Sequence, residues 1–212
     1  MKTYLKEAVN WLSLLVFCLS LTAVLTFILS FALFALAIWQ FDLTKFGLSW
    51  GQLFHNYREL MAYLNFPWVP TLSLSNFPVS TSGAQHFADV KILFELAWGL
   101  LILSAPLAIR FWRQLRQPKQ RARLYYPSQI AAVVPLVVLG LAAIDFDQFF
   151  VIFHHLFFQN NNWLFDPATD PIILVLPEPF FAYCFGLAFL IFEGLMMVGL
   201  IYGRRAVKLK RT

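Results

Sequence analysis

The chain has 212 residues, of which 60% are hydrophobic and only 13% are charged, about half the charged share of an average soluble domain. This balance excludes an ordinary soluble protein and predicts a single integral membrane domain covering residues 1–212. The formal net charge of +5 comes mostly from Lys and Arg residues that flank apolar segments, where contact with anionic lipid explains them, so no nucleic-acid partner is predicted.

Four long apolar segments predict four membrane-spanning helices, at about 11–38, 90–109, 129–148 and 180–203. A spanning helix needs roughly 20 apolar residues, and no charge interrupts the chain from Ala8 to Phe41. The alternative for this first segment, a cleaved signal peptide, is less favoured because its apolar region would be only about 7 to 15 residues long. We expect the third helix to continue through Asp145 and Asp147 into the Phe-rich stretch that follows.

The distribution of basic residues predicts the orientation of these helices. Cytoplasmic loops of membrane proteins are enriched in Lys and Arg. Thirteen of the 16 lie near the N-terminus, between the second and third spans, or in the C-terminal tail: Lys2, Lys6, Arg110, Arg113, Arg116, Lys119, Arg121, Arg123, Arg204, Arg205, Lys208, Lys210 and Arg211. Both termini are therefore predicted to be cytoplasmic, and the segments at about 39–89 and 149–179 to be extracellular. The predicted fold class is all-α, a four-helix membrane bundle with a small extracellular cap of an amphipathic helix and loops.

The first outer segment carries a helix signal. Ser49 to Gln52 fits a capping box, and apolar residues then recur at helical spacing as far as Leu64. This pattern predicts an amphipathic helix that lies on the membrane or covers the bundle. His55 falls beside the apolar stripe and is interpreted as an interface histidine without a chemical role.

A second histidine, His86, follows another capping-box pattern from Ser82 to Gln85, which places it in the opening turn of the second spanning helix. Asp89 lies three residues further on and shares its face. Two interpretations stay open: a His–carboxylate pair that orients the imidazole, or an interfacial cap in which Asp89 merely complements the helix dipole.

The adjacent pair His154 and His155 follows the third span within a Phe-rich stretch. Polar groups are costly at membrane depth unless they are solvated or satisfied, and two adjacent rings cannot both face lipid. At least one must face protein or a wet cavity. Three asparagines at 160–162 are then expected to end the helix, and Asp-Pro turns to precede a short strand or extended run at 172–176.

Two carboxyl groups inside the spans receive structural interpretations. Glu95 is one turn from Lys91, which predicts an ordinary ion pair at the outer edge of the membrane, and no function is assigned to Glu193 deep in the fourth span. The sequence contains no G-x-S-x-G, H-E-x-x-H or P-loop motif. A covalent serine mechanism therefore has no visible nucleophile.

Three stretches and the four-span layout resemble a known family. The stretches are NYRELMAYL at 56–64, HFADVK at 86–91 and FHHLFFQNNNWLFDPATDPIILVLPEPFF at 153–181. Together they are similar to the lipoprotein intramolecular transacylases, Lit, which are small bacterial integral membrane proteins. Pro179 departs from the family pattern, in which a glycine is expected after the Pro-Glu pair.

The resemblance implies a reaction without a cofactor in the bacterial cytoplasmic membrane, with the active site on the extracellular side. A diacylglyceryl lipoprotein would donate its own sn-2 acyl chain to the α-amine of its N-terminal cysteine, giving a lyso-form lipoprotein. The expected partners are this lipoprotein substrate and membrane lipids. Two histidines are thought essential in the family, and they fall on His86 and His154.

The roles that follow are expectations. An α-amine has a pKa of about 7.7 to 8.0, so a neutral imidazole must help to remove its proton, and His154 is the expected general base, with its neighbour His155 as the alternative. His86, oriented by Asp89, is expected to stabilise the oxyanion. The expected substrate-binding residues are His155, Asn160, Asn161, Asn162, Tyr57 and Trp163.

Two other functions compete with this one. His86, His154, His155 and an aspartate would suit a zinc-dependent membrane hydrolase, but adjacent histidines rarely converge on one ion, so no metal site is predicted. The alternative is a noncatalytic membrane protein that uses the outer cap to bind lipid or lipoprotein.

Overall fold

The computed structural model describes residues 2–118 and 120–209, and within these ranges the chain is helical with no β-strand. The α-helices are α1 (Lys2–Gln40), α2 (Trp50–Asn65), α3 (Thr81–Leu115), α4 (Tyr125–Ile144), α5 (Phe146–Phe157) and α6 (Glu178–Leu209). Short 3-10 helices occupy Leu43–Phe46, Arg121–Leu124 and Pro171–Leu174. Three of the basic residues used to predict the orientation, Lys119, Lys210 and Arg211, lie outside the described residues.

Four of these helices are long and apolar enough to cross a membrane: Tyr4–Gln40, Thr81–Leu115, Arg121–Ile144 and Glu178–Ala206, with mean hydropathies of 2.0 to 2.6. Each exposes large aliphatic side chains along its length, as a lipid-facing helix does. The predicted all-α fold class with four long apolar helices is confirmed. The helices extend beyond the predicted spans by up to about nine residues at an end.

The described residues form two compact units, and the first comprises Met1–Thr26, Ala97–Ile144 and Gly186–Thr212. Its small core contains Phe111, Leu115 and Leu124. An ion pair joins Arg123 to Glu7. Elsewhere in this unit, α4 and α6 approach closely enough at Gly203 that a Cβ there would lie 2.6 Å from a backbone nitrogen of α4. The prediction of a single domain stays a prediction.

The second unit comprises Phe27–Leu96 and Asp145–Phe185 and holds the larger core. The capping box predicted for α2 is present, with the Ser49 side chain accepting from the Gln52 amide. The apolar face of α2 then buries Tyr57 against the ring of Phe34, with the ring centroids 4.1 Å apart. The Tyr57 hydroxyl donates to Ser30 Oγ at 2.6 Å. This helix is therefore fixed by aromatic packing and one buried hydrogen bond.

The chain departs from the predicted course at the end of the third span. We expected one helix through Asp145, but this residue is extended (φ −153°) and its side chain accepts from the Gln148 amide, so it caps a separate helix, α5. The helix α5 ends at Phe157, three residues before the first of the asparagines that were expected to end it. The expected strand or extended run at 172–176 is wrong, because a 3-10 helix begins at Pro171.

Two further local predictions can be compared with the structure. The predicted capping box at Ser82 is wrong. The cap lies two residues earlier, at Ser80, whose Oγ accepts from the Gly83 amide at 3.0 Å, and helix α3 begins at Thr81. The predicted ion pair between Lys91 and Glu95 is confirmed at 3.8 Å.

Candidate active site

The second unit brings His86 and His154 together, although 68 residues separate them in the sequence. Their ring centroids are 5.8 Å apart, and the two residues are only 7% and 8% exposed. The remaining histidines differ, since His155 is exposed and His55 is an exposed partner of Glu59 at 3.1 Å. Of the four, only this pair forms a buried imidazole cluster within the described chain.

The carbonyl of Phe150, one turn back on α5, fixes the tautomer of His154. Nδ1 of His154 lies 2.7 Å from that oxygen. Because a carbonyl oxygen only accepts, Nδ1 must carry the proton, and the lone pair of the neutral ring is then on Nε2. Burial and the nearby His155 lower the pKa of His154, while the Phe150 carbonyl opposes this shift. His154 is therefore held as a neutral imidazole whose basic nitrogen is Nε2.

Trp163 fixes the plane of that ring. The indole stacks on His154 with ring centroids 4.7 Å apart and an interplanar angle of 29°, and it meets His155 edge-on at 5.4 Å. Its Nε1–H donates to the backbone carbonyl of Asn160 at 3.1 Å. Trp163, which the sequence suggested as a substrate contact, thus packs on the histidine expected to act as base.

His86 lies near the start of α3 and is enclosed by aromatic rings. Phe158 meets it edge-on at 4.9 Å and Phe165 at 5.5 Å. Its Nδ1 is buried and has no hydrogen-bond partner among the residues described. A buried polar atom without a partner is rare in folded proteins and is typical of sites where a ligand or water completes the set.

The carboxylate of Asp89, which was expected to orient His86, forms hydrogen bonds with two other side chains. One oxygen accepts from Gln85 Nε2 at 3.0 Å and the other from Asn160 Nδ2 at 3.0 Å, and in the described part of the chain no hydrogen bond joins Asp89 to His86. Asp89 instead holds Asn160, whose carbonyl holds Trp163. Asp89 therefore links α3, through Asn160, to the tryptophan that packs on His154.

The other predicted site residues fall in different surroundings. Asn162 donates its amide to the Asn160 side chain at 3.0 Å, and exposed Asn161 accepts from Leu164 through its carbonyl. Tyr57 is 4% exposed in the core, where its hydroxyl donates to Ser30 Oγ. In ranges 2–118 and 120–209, no three His, Cys, Asp or Glu side chains are placed to hold a metal ion.

Sequence reasoning missed Asp170, which is 1% exposed. Its carboxylate accepts from the Ser80 amide at 2.7 Å, the Ser80 hydroxyl at 2.6 Å and the Thr169 hydroxyl at 3.0 Å. The sequence assigned this aspartate to a turn before proline, and the 90 residues between it and Ser80 leave no local signal of the contact. It joins the start of α3 to the segment that carries Trp163 and Phe165.

Four apolar helices and a buried imidazole pair define a polytopic membrane protein with a histidine-based candidate active site. The family model of the lipoprotein intramolecular transacylase Lit matches residues 8–181. The chain belongs to this family, so it is a membrane-integral acyltransferase. No curated protein sequence matches the chain.

Solved structures agree with this assignment. The chain is similar to the lipoprotein intramolecular transacylase Lit from Bacillus cereus, with 27% identity, a TM-score of 0.86 and coverage of 99% of both chains. It is also similar to two structures of the same Bacillus cereus protein with one histidine replaced by arginine or by alanine. Each shows 26% identity and a TM-score of 0.78, covering 99% of this chain and 95% or 97% of the other.

Proposed function

We propose that the protein moves the sn-2 acyl chain of a diacylglyceryl lipoprotein to the α-amine of the same lipoprotein's N-terminal cysteine. The amine nitrogen forms a bond to the ester carbonyl carbon, and the bond from that carbon to the glycerol oxygen breaks. One proton leaves the amine and one reaches the glycerol oxygen, so the product is an isomer of the substrate. The product is a lyso-form lipoprotein with an amide-linked chain.

His154 is the proposed general base, and its fixed tautomer is the single observation that carries the proposal. The Phe150 carbonyl holds the proton on Nδ1, which leaves Nε2 to take a proton from the attacking amine and return it to the glycerol oxygen. The lowered pKa of His154, caused mainly by burial, keeps this nitrogen unprotonated near neutral pH. The neighbour His155 is exposed and makes no comparable contact with a carbonyl of the residues described, which supports His154 over His155.

His86 is the proposed partner that stabilises charge on the ester oxygen. Its buried and unpartnered Nδ1 would donate to the oxyanion that develops in the tetrahedral intermediate, in a site where water is largely excluded. Asn160 is held against the same cluster by Asp89. In this proposal Asp89 acts by fixing Asn160.

No enzyme nucleophile is needed, because the reacting amine and ester belong to one molecule. Effective molarities of well-oriented intramolecular reactions reach about 10⁵ M or more, so orientation of the lipid head supplies much of the rate. The aromatic side chains around the imidazoles suit the orientation of the lipid head. They exclude water, and they leave the imidazoles among few other polar groups that could bind the head. The site is proposed to open on the extracellular side, which is supported by the concentration of Lys and Arg residues at the opposite ends of the spans.

The proposal is tested with purified protein, a synthetic diacylated lipopeptide and fragmentation mass spectrometry. We expect product of unchanged total mass in which one acyl chain has moved from glycerol oxygen to the cysteine nitrogen. His154→Ala and His86→Ala should lose transfer, whereas His55→Ala, whose exposed ring bonds only Glu59, should retain it. Equal activity in all three variants, or release of free fatty acid by the parent protein, would reject the proposal.

A further inference from the structure

Asp170 is a buried carboxylate whose hydrogen bonds all come from neutral groups in the described chain. Burying a charge without a cationic partner is costly unless several donors satisfy it. The site is built around this group, because a Cβ added to Gly83 would overlap one carboxylate oxygen and lie 2.9 Å from Asp170 Cγ. The first turn of α3 therefore admits the carboxylate only because residue 83 is glycine.

The contact lies on the same helix face as His86. Residues three and four apart are neighbours on a helix, so Gly83, His86 and Phe87 follow one another along one face of α3. Phe165, five residues before Asp170, packs on that face, with centroids 5.5 Å from His86 and 5.3 Å from Phe87. The 163–170 segment is thus held against α3 at two points, about one turn apart.

The other end of the same segment holds the other histidine. Trp163 stacks on His154, while Asp170 closes the segment on Ser80. Ser80 precedes His86 by six residues, about 9 Å along the helix axis. One short segment therefore spans from the ring of His154 to the helix that carries His86.

We propose that Asp170 is a positioning residue, whose bonds to Ser80 fix the 163–170 segment on α3 and thereby set the separation of the two imidazoles. This inference rests on the proposed function of His86 and His154. Asp170 does not touch the substrate. Its contribution is the geometry of the pair, to which an intramolecular transfer is sensitive because misplacement by about 1 Å can cost on the order of 100-fold in rate.

The chain provides a matched control in the same unit. Glu59 accepts from the Ser75 amide at 2.8 Å and from the Ser75 hydroxyl at 2.5 Å, the same pair of bonds that Asp170 receives from Ser80. Glu59 bonds His55 and has no contact with the imidazole pair among the interactions described. Asp170→Asn and Glu59→Gln each replace a carboxylate that accepts from a serine, and they differ in whether that serine begins the helix of His86.

The experiment measures kcat, KM and Tm of both variants with the diacylated lipopeptide, at a temperature where each is fully folded. We expect kcat of Asp170→Asn to fall about 10- to 100-fold with KM within about twofold of the parent, while Glu59→Gln keeps kcat within about twofold. Ser80→Ala removes the hydroxyl donor to Asp170 and the oxygen that caps the Gly83 amide, but it keeps the backbone donor to Asp170. It should show a smaller loss of kcat of the same kind. It also serves if Asp170→Asn does not fold.

The proposal is overturned if kcat of Asp170→Asn, or of Ser80→Ala in its place, equals that of Glu59→Gln after correction for the folded fraction. It is also overturned if the whole effect is in KM. The His154→Ala and His86→Ala variants separate this failure from failure of the proposed function. If both lose transfer while Asp170→Asn keeps it, only the positioning role falls, whereas transfer by the two alanine variants removes the assumption on which it rests.

Discussion

Trp163 packs on the proposed base, His154, and is itself held by a hydrogen bond. Replacing Trp163 first by Phe and then by Ala tests these two interactions in turn. The indole donates to the Asn160 carbonyl and stacks on His154. Trp163→Phe removes the hydrogen bond, worth about 1 kcal/mol, while keeping an aromatic ring against His154, and should lower kcat about 5-fold. Trp163→Ala also removes the stacked ring, worth about 0.5 to 1.5 kcal/mol. The total of about 1.5 to 2.5 kcal/mol corresponds to a loss of about 10- to 70-fold if it is expressed in the transition state.

The assay is a time course of acyl migration over a range of lipopeptide concentrations, read by mass spectrometry. Trp68→Ala serves as the control, since this tryptophan is 73% exposed and stacks only on Phe66 in the described structure. A graded fall in kcat with steady KM supports a role in holding His154. A rise in KM with unchanged kcat would refute it and return Trp163 to the substrate-binding role expected from the sequence.

Three further predictions concern pH and packing. The pKa of His154 is lowered below its usual value near 6.5, so the stability contributed by its neutral ring is present above about pH 6.5 and is lost as pH falls toward the folded-state pKa. The Tm of the parent should therefore fall more steeply on acidification below pH 6.5 than that of His154→Gln, and parallel curves would contradict this. Ser30→Ala leaves the buried Tyr57 hydroxyl unpaired and should cost about 1 to 3 kcal/mol of unfolding free energy with kcat unchanged; a loss of activity at full folding would instead place Tyr57 in the site. Gly203→Ala should destabilise by about 1 to 3 kcal/mol because its Cβ meets the backbone of α4. Gly194→Ala, which meets nothing within 4 Å, should be neutral or slightly stabilising in the same thermal scan.

The four spans could be predicted because a membrane-crossing helix leaves a long uncharged run, and length alone identifies it. The start of α5 was also readable, since Asp145 and Gln148 have the spacing of a helix cap. The shortness of the third apolar run nevertheless favoured one continuous helix there. The wrong cap at Ser82 has a related cause, because two serines lie close together at the start of α3 and only Ser80 precedes the helix. A buried acid 90 residues away bonds Ser80, which local sequence does not encode.

Sequence motifs predicted the two histidines, but they did not predict the groups that hold the two rings in place. His86 and His154 stand in conspicuous stretches, but the tautomer of His154 depends on a carbonyl and the role of Trp163 on stacking. Asp89 shares a helix face with His86, which suggested a pair, yet its oxygens bind Gln85 and Asn160. Which neighbour a polar side chain bonds depends on contacts between distant segments. Helical spacing alone does not show which of several possible partners is bonded.

In the proposed reaction the acyl chain stays with its own lipoprotein and never forms a covalent bond to the enzyme. A crossover experiment tests it most directly. Two lipopeptides, one with deuterated acyl chains and one with a mass-tagged peptide, are mixed with the protein, and the amide-linked products are sorted by mass. We predict that every product pairs a peptide with its own original chain. Products that combine a tagged peptide with a deuterated chain would contradict the account, because they require transfer between molecules or through the enzyme.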